Sequence, residues 1–157
     1  PKDPCLIIRI FDILKYIKYQ QVMNSTNKIL ASISIGELID KITILEIKVE
    51  KIKDSTKLKL VNHELKSLNK TLLTLNFSSD QNASLISLKK DLNVINRTLW
   101  DVEDDIRNCE LENNFDKKFI ELARKVYLTN DKRAFLKQKI NQLTNSDIVE
   151  VKSYKKY

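Results

Sequence analysis

Glycine and proline are almost missing from this chain. There is one glycine, Gly36, and two prolines, Pro1 and Pro4, so neither residue punctuates positions 37–157. A sheet protein needs such residues at its turns, and their absence excludes a many-turned β architecture in favour of long helices. At 157 residues the chain has room for one domain with a real core and is short for two. Cysteine is equally scarce: Cys5 and Cys109 make no metal-ligand spacing, redox motif or disulfide framework, which points to a reducing, cytoplasmic compartment. The one histidine, His63, lies off the apolar pattern. No His, Cys or Asp cluster has metal-ligand spacing, so neither a metal nor a cofactor is called for. A single glycine also leaves no phosphate-binding loop or dinucleotide fingerprint. Long apolar runs are absent as well. The best candidate, CLIIRIFDILKYIKY at 5–19, is interrupted by Arg9, Asp12, Lys15 and Lys18 before it could span a bilayer, and no signal-peptide cleavage pattern is present.

Charge, by contrast, is plentiful: 28 Lys and Arg against 21 Asp and Glu give a net +7. A basic balance of this size draws phosphates when the cations cluster. Here the lysines are spread among acids along the whole chain, and nucleic acid is a disfavoured partner. The only methionine is Met23, and MNSTNKILASISIGEL reads as a natural start. Residues 1–22 are therefore expected to be an upstream extension or, alternatively, an amphipathic helix with Ile7, Ile10, Leu14 and Ile17 on one face, and the N-terminal extension outside the domain runs over 1–27. Residues 28–157 form a single helical domain on this reading.

The apolar residues fall at helical spacing. SIGE at 34–37 reads as a capping box, with the Ser34 hydroxyl and Glu37 carboxylate satisfying each other's backbone donors. Ile35, Leu38, Ile42, Leu45, Val49 and Ile52 follow at steps of three and four. The register jumps at KDST, predicting a break over 54–57. It resumes with Leu58, Val61, Leu65, Leu68, Leu72 and Leu75, an arm with no evident mate that the polar stretch 76–84 ends. Leu85, Leu88, Leu92, Ile95, Leu99, Val102, Ile106 and Cys109 then make an unbroken seam. After ENNFD, with Asp116 as N-cap and Phe115 stapled on Ile120, the last helix carries Phe119, Leu122, Val126, Thr129, Arg133, Leu136, Ile140 and Leu143. So short a loop sets these two helices antiparallel. Asp91 and Asp105 on one flank and Lys118, Lys125, Lys132 and Lys139 on the other are expected to pair across the hairpin. The fold class is all-α: an antiparallel bundle of three to four long helices, with a small two-stranded ribbon joining 28–33 to 147–154.

A second stripe runs beside each seam. It contains Asn93, Asn96, Trp100, Glu103, Arg107 and Glu110 on one helix, Ile120, Ala123, Tyr127, Asn130, Ala134, Lys137 and Asn141 on the next, and Gly36, Ile39, Thr43, Glu46 and Glu50 on the first. Facing one another, these would enclose a groove whose candidate residues are Trp100, Glu103, Arg107, Tyr127, Asn130, Arg133, Lys137 and Glu46. An arginine in a seam requires a nearby carboxylate or an anionic ligand. The competing reading is a structural network that fixes helix register, with Glu103 and Arg107 an ordinary i, i+4 pair.

The motifs GELIDKITILEIK, LWDVEDDIR, FIELARKVYLTNDKRA and EVKSY, in that order, resemble an uncharacterised bacterial family, domain of unknown function 6165. The resemblance covers roughly residues 28–154 and implies a fold unit without an activity. The residues favour a protein-interaction or self-assembly module, with a protein partner or a second copy as its target. The alternative is a small-molecule enzyme or binder holding an anion through Arg107, Arg133 and Lys137, as helical-bundle mutases hold carboxylates. A magnesium site on ELID and DVED is disfavoured because Glu37, Asp40, Asp101 and Asp104 are expected to point away from both stripes.

Overall fold

The computed structural model describes residues 29–153, and the readings placed on residues 1–28 lie outside them. Four helices follow in order: α1 (Ile35–Lys51), α2 (Ser55–Leu73), α3 (Ser79–Leu111) and α4 (Lys117–Thr144). They belong to a compact unit spanning Ile33–Tyr157. The chain is all-α, as its periodicity requires.

Each helix starts where a side chain relieves its unpaired N–H groups. The Ser34, Asp54, Ser78 and Asp116 side chains all accept from first-turn backbone N–H groups. The predicted break falls at residues 52–54, where Ile52 leaves helical geometry and Asp54 caps the next helix. Ser78 and Gln81 form a reciprocal capping box, so α3 begins at Ser79, inside the stretch expected to be a loop. The box at Ser34 is only half made: the hydroxyl accepts from Glu37 N, but the Glu37 carboxylate turns instead to Lys137. Lacking glycine, the chain ends α3 and α4 with left-handed asparagines. Asn113 has φ 50° and Asn145 φ 49°, and Asn114 N and Ser146 N close back onto Cys109 O and Asn141 O.

The antiparallel α3–α4 hairpin is the frame. α3 alone, at 33 residues, is about 50 Å long. Two clusters lie along its seam. Leu85, Leu92 and Ile140 gather with Ile39 of α1 at the base, while Val102, Cys109 and Leu122 pack with Ile106, Phe119 and Val126 toward the turn. Phe115 packs edge-to-face on Phe119, with centroids 5.2 Å apart; Ile120, its expected mate, stays 56% exposed. The turn sets Phe115 against the residue at the third helical position instead of the fourth.

α1 is the central element and packs on α2, α3 and α4. It runs antiparallel to α4, because Gly36 meets Asn141 while Asp40 meets Arg133. It runs the same way as α3, because Glu46, Glu50 and Lys51 pair with Lys89, Arg97 and Asp101 in rising order. Those ion pairs correct one expectation. Among the described residues, pairs between α3 and a neighbouring helix go to α1, and none joins α3 to α4. α2 lies against α1, so the arm at 58–75 has a mate, although no α2 residue is fully buried.

The ribbon is not formed among the described residues: 29–33 and 147–153 carry no strand. What joins the two ends is capping. Ile35 N donates to Ser146 Oγ at 3.1 Å and Gly36 N to Asn141 Oδ1 at 2.7 Å. The end of α4 thus supplies acceptors to the start of α1.

Candidate functional site

Gly36, Asp40, Thr43 and Ile47 recur at helical spacing, and all four are buried. This stripe shares Gly36 and Thr43 with the expected one; both it and Ile39 face the hairpin, while Glu46 and Glu50 lie further out and pair with Lys89 and Arg97 of α3. Gly36 lets the two backbones meet. A Cβ there would lie 2.5 Å from Lys137 O and 2.8 Å from Asn141 Oδ1, closer than any side chain can approach.

One turn further along, Asp40 is 1% exposed, which a carboxylate tolerates only with full compensation. It has that compensation. The Arg133 guanidinium donates to both oxygens, with Nε at 2.9 Å from Oδ1 and Nη2 on Oδ2, the fork geometry that suits arginine. Asn96 Nδ2 donates to Asp40 Oδ1 at 2.9 Å and to Thr43 Oγ1 at 2.9 Å. Thr43 Oγ1 in turn donates to Asp40 O at 2.8 Å. Three helices thus meet on one carboxylate. The hydrogen bond to Asp40 raises the Arg133 pKa above its already high value despite partial burial, so the guanidinium keeps its charge.

Lys137 forms a second knot. Its side chain is 9% exposed, and its ammonium bridges Glu37 Oε2, at 2.6 Å, to Glu150 Oε2 of the segment after α4. Burial pulls the Lys137 pKa down, but the hydrogen bonds to Glu150 and Glu37 outweigh it and the net direction is up. The same bond from Lys137 lowers the Glu150 carboxyl below its ordinary 4.5. Glu37 and Asp40 therefore point inward, opposite to the sequence reading. That reading took the seam and the stripe beside it as the inward faces, whereas α1 has neighbours on three sides. Of the expected stripe, Gly36, Ile39 and Thr43 are buried, while Glu46 pairs with Lys89 at 2.6 Å instead of joining the groove.

Between α1 and α3 lies an open cleft of about 360 Å³. Ile44, Ile47 and Lys48 form one wall, Leu99, Trp100, Glu103 and Arg107 the other, with Asn96 and Arg133 also lining it. Arg107 is two-thirds exposed and reaches Glu103 at 3.3 Å and Asp104 at 3.7 Å. Lys48 makes no ion pair among the described residues. Of the eight candidate residues, the cleft gathers Trp100, Glu103, Arg107 and Arg133. Asn130 lies beside it, with Oδ1 accepting from Arg133 Nη1 at 3.5 Å. Tyr127 is 40% exposed and does not line it, Lys137 belongs to the second knot, and Glu46 faces Lys89. Thr43 and Asn96 were placed on the stripes but not among the groove candidates, and Asp40, Ile44, Ile47 and Lys48 were not seen as part of it. The signal for Asp40 was present in the demand of a seam arginine for a carboxylate.

These groups do not converge on a metal: among the described residues no three His, Cys, Asp or Glu side chains come together as a metal site. Every buried side-chain nitrogen and oxygen described has a hydrogen-bond partner. Nor is any described helix long and apolar enough to cross a membrane. A family model described as "Family of unknown function (DUF6165)" matches residues 29–157. No curated protein and no solved structure matches the chain.

Proposed function

Since this chain belongs to the DUF6165 family, whose description carries no activity, we propose its role from geometry: a protein-interaction module that docks a partner along the cleft side of the hairpin. One observation carries this reading. At the base α1 lies in the groove between α3 and α4. Past the end of α1, whose Lys51 pairs with Asp101, the second stripes of both helices continue toward the turn, where the core cluster is built from α3 and α4 residues alone among those described. Ile120 is 56% and Tyr127 40% exposed there, on the stripe that faces the one carrying Glu103, Arg107 and Glu110, and the cleft at Trp100 is the near end of the same groove. A partner helix laid in this position would continue the packing that α1 begins, by the helix-in-groove mode. The knots at Asp40 and Lys137 support a scaffold role. Their charged groups are held in internal ion pairs that move the resolved pKa values away from neutrality, the reverse of what proton transfer requires.

The test is photo-crosslinking in the cells that make the protein. A crosslinking amino acid at Ile120 or Ala123 is expected to yield a discrete protein adduct that the same probe at Lys59, on the exposed side of α2, does not. Equal patterns at all three positions, or no adduct at any, would overturn the proposal.

A second reading has its own observation. Lys48 lacks an ion-pair partner among the described residues and borders a cleft of small-molecule size, with Trp100 and Ile44 as apolar walls. An anionic ligand with an apolar body would suit it. A thermal-shift screen of dicarboxylates, sugar phosphates and nucleotides tests this, with Lys48→Met expected to abolish any stabilisation seen. No shift with any of them removes this reading.

A further inference from the structure

The face of the hairpin away from the cleft carries a pattern that the fold leaves unused. Lys118, Lys125, Lys132 and Lys139 recur at every seventh residue of α4, so they form one row along its length. On α3 and its C-cap the row Asp91, Thr98, Asp105 and Glu112 has the same spacing. All seven charged residues are exposed, and none makes an ion pair with another described residue. Lys139 contacts the Phe135 ring at 4.6 Å instead. The rows are matched in height as well as in sign. Asn96 and Arg133 meet at Asp40 and so fix the level of one helix against the other. Counting from them along antiparallel helices sets Asp91 level with Lys139, Asp105 with Lys125 and Glu112 with Lys118. Large apolar groups stand beside these charges: Val94 is 55%, Leu128 38% and Phe135 56% exposed.

We propose that this face binds a second copy of the chain, α3 of each copy lying on α4 of the other. A two-fold axis parallel to the helices swaps left and right without changing height. It therefore lays the acidic row of one hairpin on the basic row of its mate, twice in one symmetric contact. An axis running across the helices would set α3 on α3, acid against acid, and the charges select against it. Val94, Leu128 and Phe135 then supply the apolar contact between the rows. The cleft faces elsewhere, so such a dimer keeps its docking groove open.

Sedimentation equilibrium of the full chain tests the proposal. At about 100 µM chain and low salt a dimer is expected, shifting to monomer as sodium chloride approaches about 1 M, where the screening length is only about 3 Å. Two charge-reversed chains sharpen it, one carrying K118E, K125E and K132E and the other D91K, D105K and E112K. Each alone is expected to be monomeric with wild-type helicity and melting temperature, because all six sites are exposed. Mixed in equal amounts, the two should form a heterodimer, since one chain is then acidic and the other basic on both helices. A wild-type monomer at low salt overturns the proposal, as does a dimer that persists in both reversed chains. Neither result touches the cleft reading, whose crosslinking probes lie on the other side of the hairpin.

Discussion

The base and the tip of the hairpin are written in the same seam pattern, yet they are held by different means. At the base, α1 covers the second stripe, and Gly36, Asp40, Thr43, Asn96, Lys137 and Asn141 are all buried there. At the tip, two helices share a seam of Val102, Ile106, Cys109, Leu122 and Val126, and the flanking residues stay in water. A two-helix seam buries a narrow strip and leaves polar neighbours solvated. A third helix buries those neighbours, and each must then find a partner. The base is thus specified by a few polar contacts that admit little substitution, and the tip by apolar spacing that admits much.

The sharpest way to break this contrast is at Arg133. Arg133→Met strands the Asp40 carboxylate in the base and is expected to cost about 3–5 kcal/mol in urea denaturation. Asp40→Ala should cost a similar amount. The double variant should lose much less than the sum, because neither charge is then left alone. Full additivity would show that the ion pair is not what holds the base. Next comes Gly36→Ala, for which the neighbours at Lys137 O and Asn141 Oδ1 predict a loss of about 2–3 kcal/mol, read from the same denaturation curves. A change below about 0.5 kcal/mol would mean that α1 can lift away from α4 freely, contrary to the packing described.

Acid supplies a smaller effect. The Glu150 pKa is lowered on folding by Lys137, so its contribution is full above the ordinary value of 4.5 and lost as pH falls through the lower folded value. The Lys137 pKa is raised, so its contribution is full below 10.5 and lost as pH rises through the folded value. The knot therefore holds across neutral pH. Glu150→Gln should flatten the acid limb of the stability curve by less than about 1 kcal/mol, since Glu150 is partly exposed; an unchanged limb would dissociate the tail from stability. Smallest of all is Arg107→Met at the tip side. Its surface pairs with Glu103 and Asp104 predict a change within about 0.5 kcal/mol. A loss comparable to that of Arg133→Met would erase the distinction between the two ends.

The same contrast explains which parts were legible in the sequence. The seams of α3 and α4 repeat every three or four residues over their whole length, and a repeat that long leaves little choice of buried face. The Ser34 and Asp116 caps follow from side-chain chemistry local to each turn. α1 was harder because its apolar residues point in several directions: Ile39, Ile42 and Ile47 are all buried. A helix enclosed on three sides has no single stripe, so its phase relative to neighbours is set by tertiary contact. Asp40 was assigned to solvent for that reason, and the arm at 58–75 was left without a mate because nothing local shows which helix it meets. The flank charges were legible as complementary, but not whether they meet within one chain. Of the candidate groove, Trp100, Glu103, Arg107 and Arg133 do share a cleft, since their spacing on straight helices fixes their direction. Lys137 and Glu46 do not, because a partner from another segment captures each.

The capping of Ile35 and Gly36 by Ser146 and Asn141 has a consequence for the order of assembly. The first turn of α1 takes its hydrogen-bond acceptors from residues 111 and 105 positions later, so during synthesis it remains uncapped at those two donors until the end of α4 has left the ribosome. Contacts that close so long a loop form late. The hairpin can zip from its own turn as soon as both helices exist. The central helix, translated before either, would then be the last to be locked in place.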